Sequence, residues 1–228
     1  MTDLDMLQKT LGISFKDRSL LEQALIHSSY INENPPLALN SNERLEFLGD
    51  AILGFIIAQE LFKRFPNLSE GEMTKLRSSV VRQDSLFHMA KAISLGNYLY
   101  LGRGEEANGG RHKRANLASA LEAVIAAIFL DQGLARARDF VLRAASQELN
   151  KGAEADYKSQ LQELLQARQQ KPTYQVIEAT GPDHDRTFTV EVRVGDNVLG
   201  RGAGKSKKAA EAEAAHSALA QLSANFTP

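Results

Sequence analysis

The 228-residue chain has no cysteine and no tryptophan. Without cysteine there can be no disulfide, no thiolate-bound zinc or iron–sulfur cluster, and no thiol nucleophile. That is compatible with a reducing compartment, and a cytoplasmic location is the expectation. Charge of one sign is not in excess either: 27 Lys plus Arg stand against 28 Asp plus Glu, a formal net charge of −1. A globally basic nucleic-acid binder is therefore excluded, and any basic surface must be local. The N-terminal MTDLDMLQKT lacks the apolar core of a signal peptide. The apolar runs read as too short and too broken to span a bilayer, so no membrane partner is expected. There is no repeat and no low-complexity tract. What the chain does have is apolar side chain, 43% of residues, enough for a real core in one large domain or two smaller ones.

The stretch NERLEFLGDA, residues 42–51, opens a long helical pattern that Pro66 ends. Asn40 or Asn42 can cap its start. Leu45, Phe47, Leu48, Ile52, Leu53, Phe55, Ile56 and Ile57 nearly encircle it, which predicts a buried helix. Yet Glu43, Glu46 and Asp50, spaced three and four apart, fall on one face within about 60° of one another. Like charges so placed repel, so something cationic is expected to face them. The alternative is an ordinary helix whose acidic face is solvated. Gly49 and Gly54 weaken the helix but permit close approach.

A second helix, NLASALEAVIAAIFL from Asn116, is almost wholly small and apolar. It carries one charge, Glu122, which is costly there unless paired or bound to a metal. Ala118, Ala123 and Ala126 would let another helix pack closely. Between the two, Ser69 with Glu72 forms a capping box, and a helical break is expected near 82–84. Lys75, Arg77, Arg82 and Lys91 are a solvated face or phosphate contacts. His27, in LIHSSY, is an active-site imidazole or a packed, hydrogen-bonded structural residue. The glycine-rich 102–110, GRGEEANGG, lacks the Gly-Lys-Ser/Thr ending of a phosphate-binding loop. Arg111, Lys113 and Arg114 follow it as a basic cluster. A last helix is expected over 132–148.

From Asp156 the pattern changes. KSQLQELLQAR is an amphipathic helix. Thr173–Ala179 alternates toward a strand, GPDH turns, TFTVEVRV alternates strictly, and Gly195-Asp196-Asn197 turns into Val198-Leu199-Gly200. An alanine-rich helix runs over 205–222. Residues 156–228 hold nine Lys plus Arg and nine Asp plus Glu, so the basic surface is again local. Lys205, Lys207 and Lys208 gather at a helix N-terminus, a place suited to phosphate.

NERLEFLGDA resembles the signature of the ribonuclease III family, while the α-β-β-β-α order, GPDH and GKSKKAAE resemble a double-stranded-RNA-binding domain. The resemblance implies an all-α nuclease domain over 1–149, a linker over 150–155 and a small α+β RNA-binding domain over 156–224. It implies hydrolysis of phosphodiesters in double-stranded RNA, leaving staggered ends, in RNA processing that includes ribosomal RNA precursors. It implies a magnesium ion, for which manganese can substitute, held by Glu46, Asp50 and Glu122, with Glu43 supporting catalysis. It also implies a homodimer packed at Phe47, and RNA contacts by Ser159, Gln162, Glu163, His184 and the three lysines. The chain departs from the family pattern at Ser119, where an Asp is usual three residues before Glu122. Ser119, or Asn116 one turn earlier, could reach the metal through water. The alternative is a non-catalytic double-stranded-RNA-binding protein with a decayed site.

Overall fold

The computed structural model describes residues 3–34, 40–182 and 185–224. The chain forms two compact units, one of Met1–Lys63 with Met73–Glu148 and the other of Arg64–Glu72 with Leu149–Pro228.

The first unit is helical. Helices α1 (Leu4–Leu11) and α2 (Arg18–Ala24) start where Asp3 and Asp17 accept hydrogen bonds from the Met6 and Ser19 amides, each 2.9 Å. These are side-chain N-caps satisfying amides that no helical carbonyl reaches. Helix α3 (Ser28–Glu33) follows, and 35–39 lie outside the described residues. Helix α4 (Glu43–Arg64) carries the acidic signature. The Asn42 side chain does not cap it. That amide donates instead to the Ala24 carbonyl at 3.3 Å, while the Asn42 backbone carbonyl accepts from Glu46 as the helix begins. This pins the start of α4 to the end of α2.

Helices α5 (Glu70–Val81) and α6 (Gln83–Ala92) are separated at Arg82, and Ser69 and Glu72 close the expected capping box. A short α7 (Arg103–Ala107) occupies the glycine-rich segment, its N-terminus filled by the Glu33 carboxylate, which accepts from the Arg103 and Gly104 amides. Helix α8 (Arg114–Ala144) is interrupted at Gly133 (φ 81°), so the two helices expected on either side of residue 131 are joined through a kink. Its first half supplies the core, with Leu117, Leu121, Val124, Ile125 and Ile128 buried, and it packs against α2 and α6. By length and composition α8 could cross a membrane, contrary to the sequence expectation. However, more than half of its most apolar stretch is already buried by protein, as befits a core helix.

Helix α9 (Ser146–Gln166) runs through 150–155, the expected linker. That segment has no proline and a single glycine, so nothing in it stops a helix. In the second unit an antiparallel sheet of β1 (Thr173–Thr180), β2 (Thr187–Val194) and β3 (Asn197–Gly204) has order β1-β2-β3 and is covered by α10 (Lys207–Ala224). Leu161, Leu165, Val190, Val192, Ala214 and Ala218 form its core. Strand β3 extends four residues past the expected Gly200. A Cβ at Gly202 would lie 2.1 Å from the Ala214 nitrogen, so glycines that weaken the strand are what let α10 seat directly on it.

Candidate active site and RNA-binding surface

Glu46 and Asp50 stand one turn apart on α4, and Ser119 and Glu122 one turn apart on α8. The two helices touch at Gly49, which lies between the two acids and is buried against the backbone of Glu122. Gly54, expected to act the same way, has nothing within 4 Å of its Cβ position. The crossing at Gly49 brings the α4 carboxylates beside Glu122. Burial first, then the charges of Asp50 and Glu46, push the Glu122 carboxyl up to about 7. The Ser119 hydroxyl donates to Glu46 Oε1 at 2.8 Å.

Among the described residues no Lys, Arg or His pairs with Glu46, Asp50 or Glu122. Among the described residues, no three His, Asp or Glu side chains already stand in a metal-holding group. The donor chemistry suits a hard divalent cation: carboxylate oxygens only, with a mutual repulsion that a cation relieves. Glu43, exposed at the head of α4, accepts from the Ser41 hydroxyl at 2.7 Å.

Other sequence-selected residues fall elsewhere. The Asn116 amide donates to Glu105 (2.7 Å) and to the Gly110 carbonyl (3.1 Å). That leaves Ser119, not Asn116, as the α8 residue hydrogen-bonded to the carboxylates. His27 caps α3, its Nδ1 within hydrogen-bond reach of Ser29 Oγ at 2.8 Å and accepting from the Ser29 amide. Arg111, Lys113 and Arg114 are each committed to an acidic neighbour: Glu106, Glu105 and Asp84. Helix α4 is not buried all round. Phe47, Phe55 and Phe62 are 81%, 53% and 73% exposed, and their spacings of eight and seven put them on one face, within about 80°. Sequence reasoning selected only Phe47 of these; the signal for the others was the same near-heptad spacing.

In the second unit, Ser206 caps α10 by accepting from the Ala209 amide at 3.1 Å. Lys205, Lys207 and Lys208 surround that N-terminus and are exposed. Lys205 is bonded to Asp185 at 2.6 Å, and the Lys207 ammonium lies 6.0 Å from the Phe188 ring centroid. On α9, Ser159 is half-buried and Gln162 and Glu163 are exposed. His184 lies outside the described residues.

Comparison with known proteins agrees with this anatomy. A family described as ribonuclease-III-like matches residues 17–149, and the double-stranded RNA binding motif matches 157–222. A protein named Ribonuclease 3 from Dehalococcoides mccartyi is 51% identical over 232 residues, covering 100% of this chain and 98% of that protein. Another of that name from a Roseiflexus species is 49% identical, covering 96% and 95%. Among solved structures, the nuclease domain of a ribonuclease III from Campylobacter jejuni is 37% identical with a TM-score of 0.59, covering 64% of this chain and 96% of that one. A second Campylobacter jejuni nuclease-domain structure, with a TM-score of 0.60, is described as showing flexibility in a region involved in dimer formation; it covers 64% and 98%.

Proposed function

Because this chain belongs to the ribonuclease III family and is an endoribonuclease of double-stranded RNA, we propose that Glu46, Asp50 and Glu122 form its cleavage site. The observation that carries this is the carboxylate cluster at the α4–α8 crossing, which has no cationic partner among the described residues. The decayed-site alternative is not supported. The relatives matched along their whole length are named Ribonuclease 3, and Ser119 is engaged with the cluster rather than turned away from it.

The family is metal-dependent in general. In this chain Glu46, Asp50 and Glu122 would hold magnesium, or manganese in its place, each through carboxylate oxygen. When bound, the ion supplies Lewis-acid activation of water and stabilises charge on the attacked phosphate and the leaving 3′ oxygen. The protein's own residues do the rest. Glu122, half-buried, brings its carboxylate to the cluster from the α8 side. Glu43, exposed beside the cluster, supports the substrate. Lys205, Lys207 and Lys208 sit at a helix N-terminus and take backbone phosphates, while Ser159, Gln162, Glu163 and His184 read the minor groove by its 2′-hydroxyls.

The reading includes a homodimer. The exposed aromatic face of α4, with Phe47 beside a groove lined by Leu20, Leu48 and Leu130, is apolar surface that a second copy would cover. Two sites on one duplex then cut both strands and leave staggered ends. Structured transcripts, including ribosomal RNA precursors, in the cytoplasm are the proposed substrates. Incubation of the purified chain with a long RNA duplex, with and without magnesium, tests the proposal. Cleavage that proceeds equally in chelator would overturn the metal site.

A further inference from the structure

We infer that Ser119 is a positioning residue for the metal site: its hydroxyl aims the Glu46 carboxylate by holding one of its two oxygens. The inference rests on the reading above, that Glu46, Asp50 and Glu122 hold the ion.

A serine inside a helix ordinarily returns its hydroxyl to a carbonyl of the preceding turn. Ser119 instead reaches across to α4 and donates to Glu46 Oε1 at 2.8 Å, in a part-buried position. The hydrogen bond joins the same two helices that Gly49 brings together, and Ser119 lies one turn before Glu122. Four side chains thus surround the crossing, three acids and one hydroxyl. The hydroxyl occupies Oε1 and leaves Oε2 of Glu46 for the ion. A long Glu side chain otherwise spends rotamer entropy to reach one geometry. A site with three carboxylates has less charge with which to hold a hard cation, so the aim of each oxygen matters more. A hydrogen bond that fixes a ligand is the kind of interaction whose removal typically weakens metal affinity about 10- to 100-fold.

Magnesium binding to the full-length chain, measured by calorimetry without RNA, tests this. Ser119→Ala should weaken magnesium binding about tenfold. Alanine suits a helix interior, so the metal-free melting temperature should be retained. Ser119→Thr, which keeps a hydroxyl, should restore most of the affinity. In cleavage, Ser119→Ala should raise the magnesium concentration for half-maximal rate and leave the rate at saturating magnesium nearly intact. Wild-type affinity in Ser119→Ala, or a Thr variant as weak as the Ala variant, would overturn the inference. Glu122→Gln separates the two levels. If it abolishes magnesium binding while Ser119→Ala does not weaken it, only the role of Ser119 falls. If Glu122→Gln binds magnesium like the wild type, the assignment of the ion falls, and the role of Ser119 with it.

Discussion

Gly49 of α4 lies against the backbone of Glu122 of α8, so closely that a Cβ on Gly49 would stand 1.8 Å from the Glu122 carbonyl oxygen and 3.0 Å from its Cα. The obstacle is backbone, which cannot rotate away as a side chain can. Gly49→Ala must therefore push the two helices apart at the point where they present Glu46, Asp50 and Glu122. Overpacking of this kind costs about 1–3 kcal/mol, and more is expected against fixed backbone. Denaturant unfolding should show that loss, and cleavage should fall further than stability alone explains. A Gly49→Ala enzyme with normal stability and normal cleavage would mean that the helices do not cross there.

Glu122→Gln keeps the size of the side chain and removes its charge. It should abolish cleavage while leaving duplex binding nearly intact, since the segment that matches the double-stranded RNA binding motif is 157–222. Single-turnover cleavage and gel shift on the same protein check this. Wild-type cleavage by the variant would remove Glu122 from the site.

Glu122 also makes the metal-free protein sensitive to pH. Its carboxyl is raised to about 7 in the fold from an ordinary 4.5, first by burial and then by Asp50 and Glu46. A carboxyl raised on folding binds its proton more tightly in the native state. Its contribution to stability is therefore complete below about pH 4.5 and is lost as pH rises through about 7. In chelator, melting temperature against pH should fall across that window more steeply for wild type than for Glu122→Gln. Equal slopes would show that Glu122 does not titrate there.

A carboxylate at position 119 should act in the opposite sense with and without metal. Ser119→Asp replaces a donor to Glu46 by a like charge, so the metal-free melting temperature should drop. A fourth carboxylate also binds a hard cation more tightly, so the rise in melting temperature on adding magnesium should grow, and half-maximal cleavage should need less magnesium. Manganese, which binds such sites more tightly than magnesium, should narrow the difference between the two proteins. A wild type that saturates at no higher magnesium than the Asp variant would show that serine costs the site nothing.

The lysines at the start of α10 should set the salt dependence of RNA binding. In a cleavage-dead Glu122→Gln background, replacing Lys205, Lys207 and Lys208 with alanine should weaken duplex binding. It should also flatten the log–log salt slope by roughly 0.7–0.9 for each phosphate the protein no longer neutralises. Lys205 is already bonded to Asp185, so Lys207 and Lys208 should account for most of the change. An unchanged slope would place the phosphate-binding residues elsewhere.

The sequence by itself determined the features that short-range physics controls. The cap at Ser69, the break at Arg82, the alternation of β2 and the change of pattern after 156 depend on neighbours a few residues away. The tight spacing of Glu46 and Asp50 and the lone charge Glu122 were legible for the same reason, and the ribonuclease III resemblance assigned them a chemistry. Tertiary structure decided what depends on which helix meets which. Ser119 and Glu46 are 73 residues apart, and nothing local says that the serine hydroxyl leaves its own helix. Gly49 and Gly54 look alike along the chain, but only Gly49 has a helix against it. Phe47 and Phe55 belong to the apolar ring that predicts a buried helix, yet both are exposed, because a helix can be apolar on every side without being covered on every side. No alternation carries the expected strand past Gly200, since glycine weakens a strand, and the gain from seating α10 on that face belongs to a packing that no window of sequence contains.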